Sequence, residues 1–96
     1  MLLGKIAGTV VSSQKDDNLQ GLRFMLVEEM DVNLKVTGKM VVAVDAVGAG
    51  VGEVILFAQG SSARQTTATK DRPVDATIMA IVDQLDVDGE LLYQKD

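Results

Sequence analysis

The chain has 96 residues, a formal net charge of −5, and neither cysteine nor histidine. That excludes disulfides, thiolate metal sites, the commonest general base and the commonest transition-metal ligand, and an acidic chain with only three aromatic residues is poorly equipped to hold nucleic acid. The length gives one domain, 1–96, with one modest core, yet 47% of its residues are hydrophobic and no apolar run approaches the ~20 residues that span a bilayer, so burial against further copies of the chain is expected.

Met1-Leu2-Leu3-Gly4-Lys5 has neither the basic segment nor the long apolar core of a secretion signal, and a cytosolic setting is expected. Leu2 to Ser12 reads as the first strand, with Ile6, Gly8 and Val10 on one face and Lys5, Ala7 and Thr9 on the other. Glycine within a strand suits the tight coil of a small barrel. Ser13 to Asn18 is a polar loop in which Asp16-Asp17 is a solvated turn rather than a catalytic carboxylate pair. Leu22 to Val27 is the second strand, and Glu28 to Lys39 reads as an exposed loop ending in the turn signal Thr37-Gly38-Lys39.

Strands three and four, Met40–Asp45 and Glu53–Ala58, flank the loop Gly48-Ala49-Gly50-Val51-Gly52, and the chain is organised around this unit. Both strands are apolar on both faces, so both faces need cover. The loop invites a nucleotide-binding reading and fails it. Glu53 stands where the third small residue of a dinucleotide fingerprint belongs, a strand follows instead of a helix, and there is no Gly-Lys-Ser/Thr. A tight, glycine-permitted loop is the reading that remains.

Ser61 or Ser62 is placed to cap a helix of one or two turns reaching about Ala68. Arg64 then either assists an anion at the helix start or pairs with a carboxylate, and pairing is the better reading. Asp45, Asp75 and Asp83 are the candidate partners of Arg64 or Arg72, and nothing in the sequence selects among them. Thr66 to Pro73 is loop, Ala76 to Val87 a long fifth strand, and Asp88-Gly89 a hairpin turn returning through Leu91-Leu92-Tyr93. Asp86-Val87-Asp88-Gly89-Glu90 resembles part of a calcium loop, but its flanks are strands and the further oxygen ligands are missing.

The fold class expected is all-β: a small five-stranded OB-like barrel with one short helix and a C-terminal β-hairpin. The helix follows the fourth strand, whereas OB-folds usually carry it between the third and fourth. From the residues alone, an OB-fold-type nucleic-acid or ligand-binding module is the alternative function.

Four segments together resemble a known family: Leu19 to Val27, Val42 to Glu53, Gly60-Ser61-Ser62-Ala63-Arg64, and Pro73 to Asp83. They are similar, in order and spacing, to the vertex proteins of bacterial microcompartments, the EutN/CcmL/PduN-type shell proteins. The specific element is Asp45-x-x-Gly48-Ala49-Gly50-x-Gly52-Glu53 followed by Gly-Ser-Ser-Ala-Arg. Arg23 stands where the family commonly has Lys, and the segment from Glu28 to Lys39 is particular to this chain.

The resemblance implies an OB-like barrel that assembles as a homopentamer, a hexamer being the alternative ring. It implies a structural protein of the bacterial cytoplasm that occupies shell vertices beside hexameric shell proteins. No catalytic residue, cofactor, metal, nucleic acid or membrane is implied. Subunit contacts are expected from Asp45, Gly48, Ala49, Gly50, Gly52, Ser61, Ser62, Ala63, Arg64 and Asp83. Glycine allows close approach of backbones, and a short capped helix makes a rigid wedge.

Overall fold

Alternating apolar residues roll the chain into a closed barrel in a computed structural model that describes all residues from Met1 to Asp96. The strands are β1 (Leu2–Val10), β2 (Phe24–Met30), β3 (Val36–Asp45), β4 (Val54–Gln59) and β5 (Ala76–Ile81), in the spatial order β1-β2-β3-β5-β4. β1 pairs antiparallel with both β2 and β4, so the sheet closes on itself. Closure leaves no free edge in the barrel. β3 and β5 join in parallel over two residue pairs, Val44 with Thr77 and Asp45 with Ile78. A separate antiparallel hairpin, β6 (Gln84–Val87) and β7 (Glu90–Gln94), completes the chain.

Inward-facing residues build the core: Ile6, Met25, Val27, Ala43, Ile55, Phe57 and Ile78 are all buried. Gly4 lies against this core because nothing larger fits there. A Cβ at that position would stand 2.6 Å from Val27 Cγ1 and 3.1 Å from the Phe57 ring. The register of β1 slips between Ile6 and Gly8, leaving Ala7 as a bulge, which bends the strand around the barrel. On β3 the odd positions face in, so Met40 and Val42 face outward and stay about half exposed.

Three expectations from the sequence are corrected. The segment Glu28–Lys39 is largely strand: β2 runs on to Met30, β3 begins at Val36, and only residues 31–35 turn. Pairing of Met30 with both Leu3 and Val36 supplies the ladder, and Asp31 Oδ1 holds the turn by accepting from the Asn33 and Lys35 N–H groups. The long fifth strand is two strands in two sheets. Val82 donates its N–H back to the Val54 carbonyl, which ends the barrel strand, and Asp83 accepts from Lys95 N–H at the root of the hairpin.

The helix after β4 is a five-residue 3-10 turn, Gly60–Arg64, with no side-chain cap. It does not reach Ala68 because Thr66 and Thr69 bond each other and the local backbone instead, the competition that makes threonine a poor helix interior. The hairpin reading of Asp88-Gly89 holds: both residues have positive φ, 51° and 83°, as a type I′ turn requires.

Gly4→Ala is expected to destabilise the fold by about 1–3 kcal/mol through overpacking, whereas Gly8→Ala, with open space at its Cβ, stays within about 1 kcal/mol of the parent. Denaturant unfolding of the two variants side by side reads the difference, and equal midpoints would show that Gly4 is not sterically required.

Candidate subunit interface

Two loops at the ends of the barrel strands carry the residues singled out from the sequence. The first follows β3. Asp45 Oδ1 accepts from the N–H groups of Val47, Gly48 and Ala49 at 3.0, 3.0 and 3.2 Å. Its Oδ2 accepts from Arg23 Nη1 at 2.9 Å. The carboxylate is 2% exposed, so these four bonds replace nearly all of its hydration. A short acidic side chain bonding its own following backbone is the ordinary way an Asp organises a turn.

The far end of the loop is held the same way. Glu53 Oε1 accepts from Gly50 N–H at 2.6 Å, and Oε2 pairs with Lys95 Nζ. Between the two carboxylates Ala49 turns inward and joins the core. Gly48 and Gly52 have φ of 77° and 90°, conformations that side-chain-bearing residues rarely adopt. The outcome is a rigid plate whose exposed apolar corners are Val47 and Val51.

The second loop follows β4. Ala63 is fully buried, and its carbonyl accepts from both Thr69 Oγ1 and Thr77 Oγ1 at 2.7 Å. Both threonines are themselves fully buried, and these bonds satisfy their hydroxyls. Arg64 Nη1 donates to the Val74 carbonyl at 3.0 Å, and Arg72 Nη1 donates to the carbonyls of Asn18 and Gln20. The two arginines therefore tie loops to loops through backbone oxygens. The expected pairing of Arg64 or Arg72 with Asp45, Asp75 or Asp83 is corrected: of the three carboxylates only Asp45 forms an ion pair, and its cation is Arg23.

Of the ten residues expected at subunit contacts, Asp45, Ala49 and Ala63 bury their side chains within their own subunit. Gly48, Gly52, Ser61, Ser62, Arg64 and Asp83 are exposed, and Gly50 is half-buried. Arg23, Thr69, Thr77 and Lys95 complete the two loops without having been singled out, and only Glu53, at the end of the glycine motif, had a local signal. No three carboxylates lie close enough to hold a metal ion.

The hydrogen bond from Lys95 holds the Glu53 carboxyl below the usual range. The Gly50 N–H and the Lys95 charge add to this, against a smaller opposing effect of desolvation. Lys95 is held above its usual value, first by its bond to Glu53 and then by the charges of Glu53, Asp83 and Tyr93, again against desolvation.

The arrangement of sheet, loops and hairpin can be set beside known proteins. Residues 1–83 match the family model described as "Ethanolamine utilisation protein EutN/carboxysome". The chain belongs to this family. The match spans the barrel and both loops and stops where the hairpin starts. Over 95 residues the chain is 43% identical to the carboxysome shell vertex protein CcmL of Gloeobacter violaceus, covering 99% of this chain and 95% of the relative. The solved structure of that protein superposes with a TM-score of 0.94, covering 99% of this chain and 98% of the other.

It is 34% identical to the shell vertex protein EutN of Salmonella typhimurium, covering 99% of this chain and 96% of the relative. The GrpN pentameric microcompartment shell protein from Rhodospirillum rubrum superposes with a TM-score of 0.83 at 40% identity, covering 91% of this chain and 99% of the other.

Asp45→Asn is expected to cost about 2–4 kcal/mol in chemical unfolding, because a buried, fourfold-bonded carboxylate becomes an amide facing Arg23. Arg23→Gln, whose guanidinium is half exposed, costs about 1 kcal/mol or less. A loss for Asp45→Asn no greater than that for Arg23→Gln would contradict the loop-anchoring role.

The Glu53–Lys95 bridge has a defined pH window. A depressed Glu53 pKa contributes stability above the ordinary carboxylate value of 4.5, which is lost as pH falls through the lowered folded value. A raised Lys95 pKa contributes stability below the ordinary 10.5, which is lost as pH rises through the raised folded value. Lys95→Met is therefore expected to let Glu53 titrate nearer the ordinary value and to weaken hairpin amide protection between those limits. Carbon-detected NMR titration and hydrogen exchange read both, and an unmoved Glu53 titration would refute the bridge.

Proposed function

We propose that this chain is a structural shell protein whose homopentamer occupies the five-fold vertices of a polyhedral bacterial microcompartment in the cytoplasm. The observation that carries the reading is the near-complete superposition of barrel, glycine loop and Gly60–Arg64 turn on shell vertex proteins, one of them pentameric. The mechanism is geometric. A flat sheet of hexagonal tiles closes only where five-fold points are inserted, and a cyclic pentamer forms such a point by repeating one head-to-tail contact until rotation closes the ring. Hexameric shell proteins are the neighbours this role requires, and catalysis has no part in it.

The two loops suit such a contact. Asp45, Ala49 and Ala63 fix loop shape from within, while Gly48, Gly50, Gly52, Ser61, Ser62, Arg64 and Asp83 present backbone and polar side chains to the neighbour. Rigidity matters because an interface that is ordered before binding loses less entropy on association.

Native mass spectrometry at near-physiological salt is expected to give a five-subunit mass, and co-expression with a hexameric shell protein is expected to give closed polyhedra where the tiles alone give sheets or tubes. A monomer at micromolar concentration, or shells that close equally well without the chain, would overturn the reading. Arg64→Ala is expected to shift the population toward smaller species, and an unchanged five-subunit mass would remove Arg64 from the contact.

A further inference from the structure

Arg64 and Arg72 have no carboxylate partner, in a chain where 14 acidic residues outnumber nine basic ones. Both guanidiniums are nonetheless held in place. Arg64 Nη1 donates to the Val74 carbonyl at 3.0 Å, and Arg72 Nη1 donates to the carbonyls of Asn18 and Gln20, each at 2.9 Å. A guanidinium carries five N–H donors in a rigid fork. These bonds engage Nη1 alone, so the Nε–Nη2 edge of each arginine has no partner in its own subunit. Two parallel N–H groups of such an edge meet two oxygens of one anion.

Both arginines line one shallow pocket of about 420 Å³, completed by Asn18, Asp71 and Pro73. Arg64 also borders a second pocket of about 440 Å³, where Lys70 joins Gln65, Thr66, Thr67 and Asp71. Residues 64–72 gather three of the nine cations of the chain beside a single carboxylate. That carboxylate, Asp71, lines both pockets and forms no ion pair with any of the three.

The hollow is polar, and its two arginines are oriented before any ligand arrives. An apolar occupant gains nothing from these walls, and a neutral polar one leaves the charge uncompensated. We propose that the Arg64–Arg72 pocket binds a small inorganic oxyanion of the phosphate class, received by the Nε–Nη2 edges of both arginines, with Lys70 adding charge from the neighbouring pocket. Charge-assisted bonds of this kind are roughly twice as strong as neutral ones. The bound anion fastens the turn after β4 to the loop around Asn18 and Gln20, which Arg72 already bridges through backbone. Every residue named belongs to one subunit, so the site does not depend on the ring.

Titration with inorganic phosphate, against chloride at matched ionic strength, tests the site through the arginine side-chain Nε–H resonances. The chain has only three arginines, and Arg23, paired with Asp45, is the internal control. Arg64 and Arg72 are expected to shift together and to saturate at roughly millimolar phosphate, the scale of a five-atom ligand held by a few charged bonds, while Arg23 stays in place. Arg72→Gln is expected to weaken the binding read at Arg64 by about tenfold or more. Asp71→Asn is expected to tighten phosphate by about threefold or more, because the opposing charge is gone. Position 71 has a φ of 58°, which Asn adopts as readily as Asp, so this variant keeps the fold and decides alone should Arg72→Gln not fold.

Shifts that climb without saturating, that appear equally at Arg23, or that Asp71→Asn leaves unchanged overturn the site. So does the absence of any shift, including in a five-subunit ring whose neighbouring subunit already fills the pocket with a carboxylate. Native mass spectrometry of the same sample reads the ring separately, so a failed titration of an intact ring leaves the vertex reading standing.

Discussion

The barrel closes through its shortest seam, the two parallel pairs that join β3 to β5. Both loops of the candidate interface hang from that seam. Asp45, paired with Ile78, sends its carboxylate forward into the glycine loop. Thr77, paired with Val44, sends its hydroxyl to the Ala63 carbonyl and so holds the Gly60–Arg64 turn. A parallel pair is slightly weaker per residue than an antiparallel one, and here only two pairs are available. The side-chain bonds made by the seam residues supply what the ladder does not, so closure of the fold and shaping of the loops are one event.

This coupling explains why so many polar groups of an apolar chain are spent on backbone. Asp45, Glu53, Thr69, Thr77, Arg64 and Arg72 all bond main-chain atoms in loops. Loops cannot satisfy their N–H and C=O groups by ladder pairing, and a buried unpaired group costs roughly 1–3 kcal/mol. Charged partners make the stronger bonds. The same residues therefore read as structural. A plate of glycine backbone fixed at both ends is suited to close packing against another surface, since no side chain needs to be ordered when contact forms.

What the sequence made legible was local. The glycine loop, the Asp88-Gly89 turn and the alternation of β1 all depend on residues within a few positions of one another. Arg23, which pairs with Asp45, and Thr77, which bonds the Ala63 carbonyl, lie 22 and 14 residues from them, and no spacing rule points to either in advance. The break between β5 and β6 was hidden for the same reason. Ala76 to Val87 contains neither glycine nor proline, and it is divided by a bond from Val82 to a strand that ends far earlier in the chain. The turn after β4 was misjudged in kind. Two threonines that bond their own loop prevent a helix that Ser61 and Ser62 suggested. The family resemblance rested on the local motifs, which is why it survived these errors.

The apolar excess that first set this chain apart is carried by several elements of the fold. The inner face of the barrel is filled, and what remains outside lies on the outer face of β3, the corners of the glycine loop and the hairpin, and also at both ends of β1 (Met1, Leu2, Val11) and in the turn after β2 (Val32). A symmetric dimer would need one self-complementary patch, and repeated use of such a patch stops at two. Unlike patches on different elements favour an open-ended sequence of contacts that stops only when rotation brings the last subunit to the first.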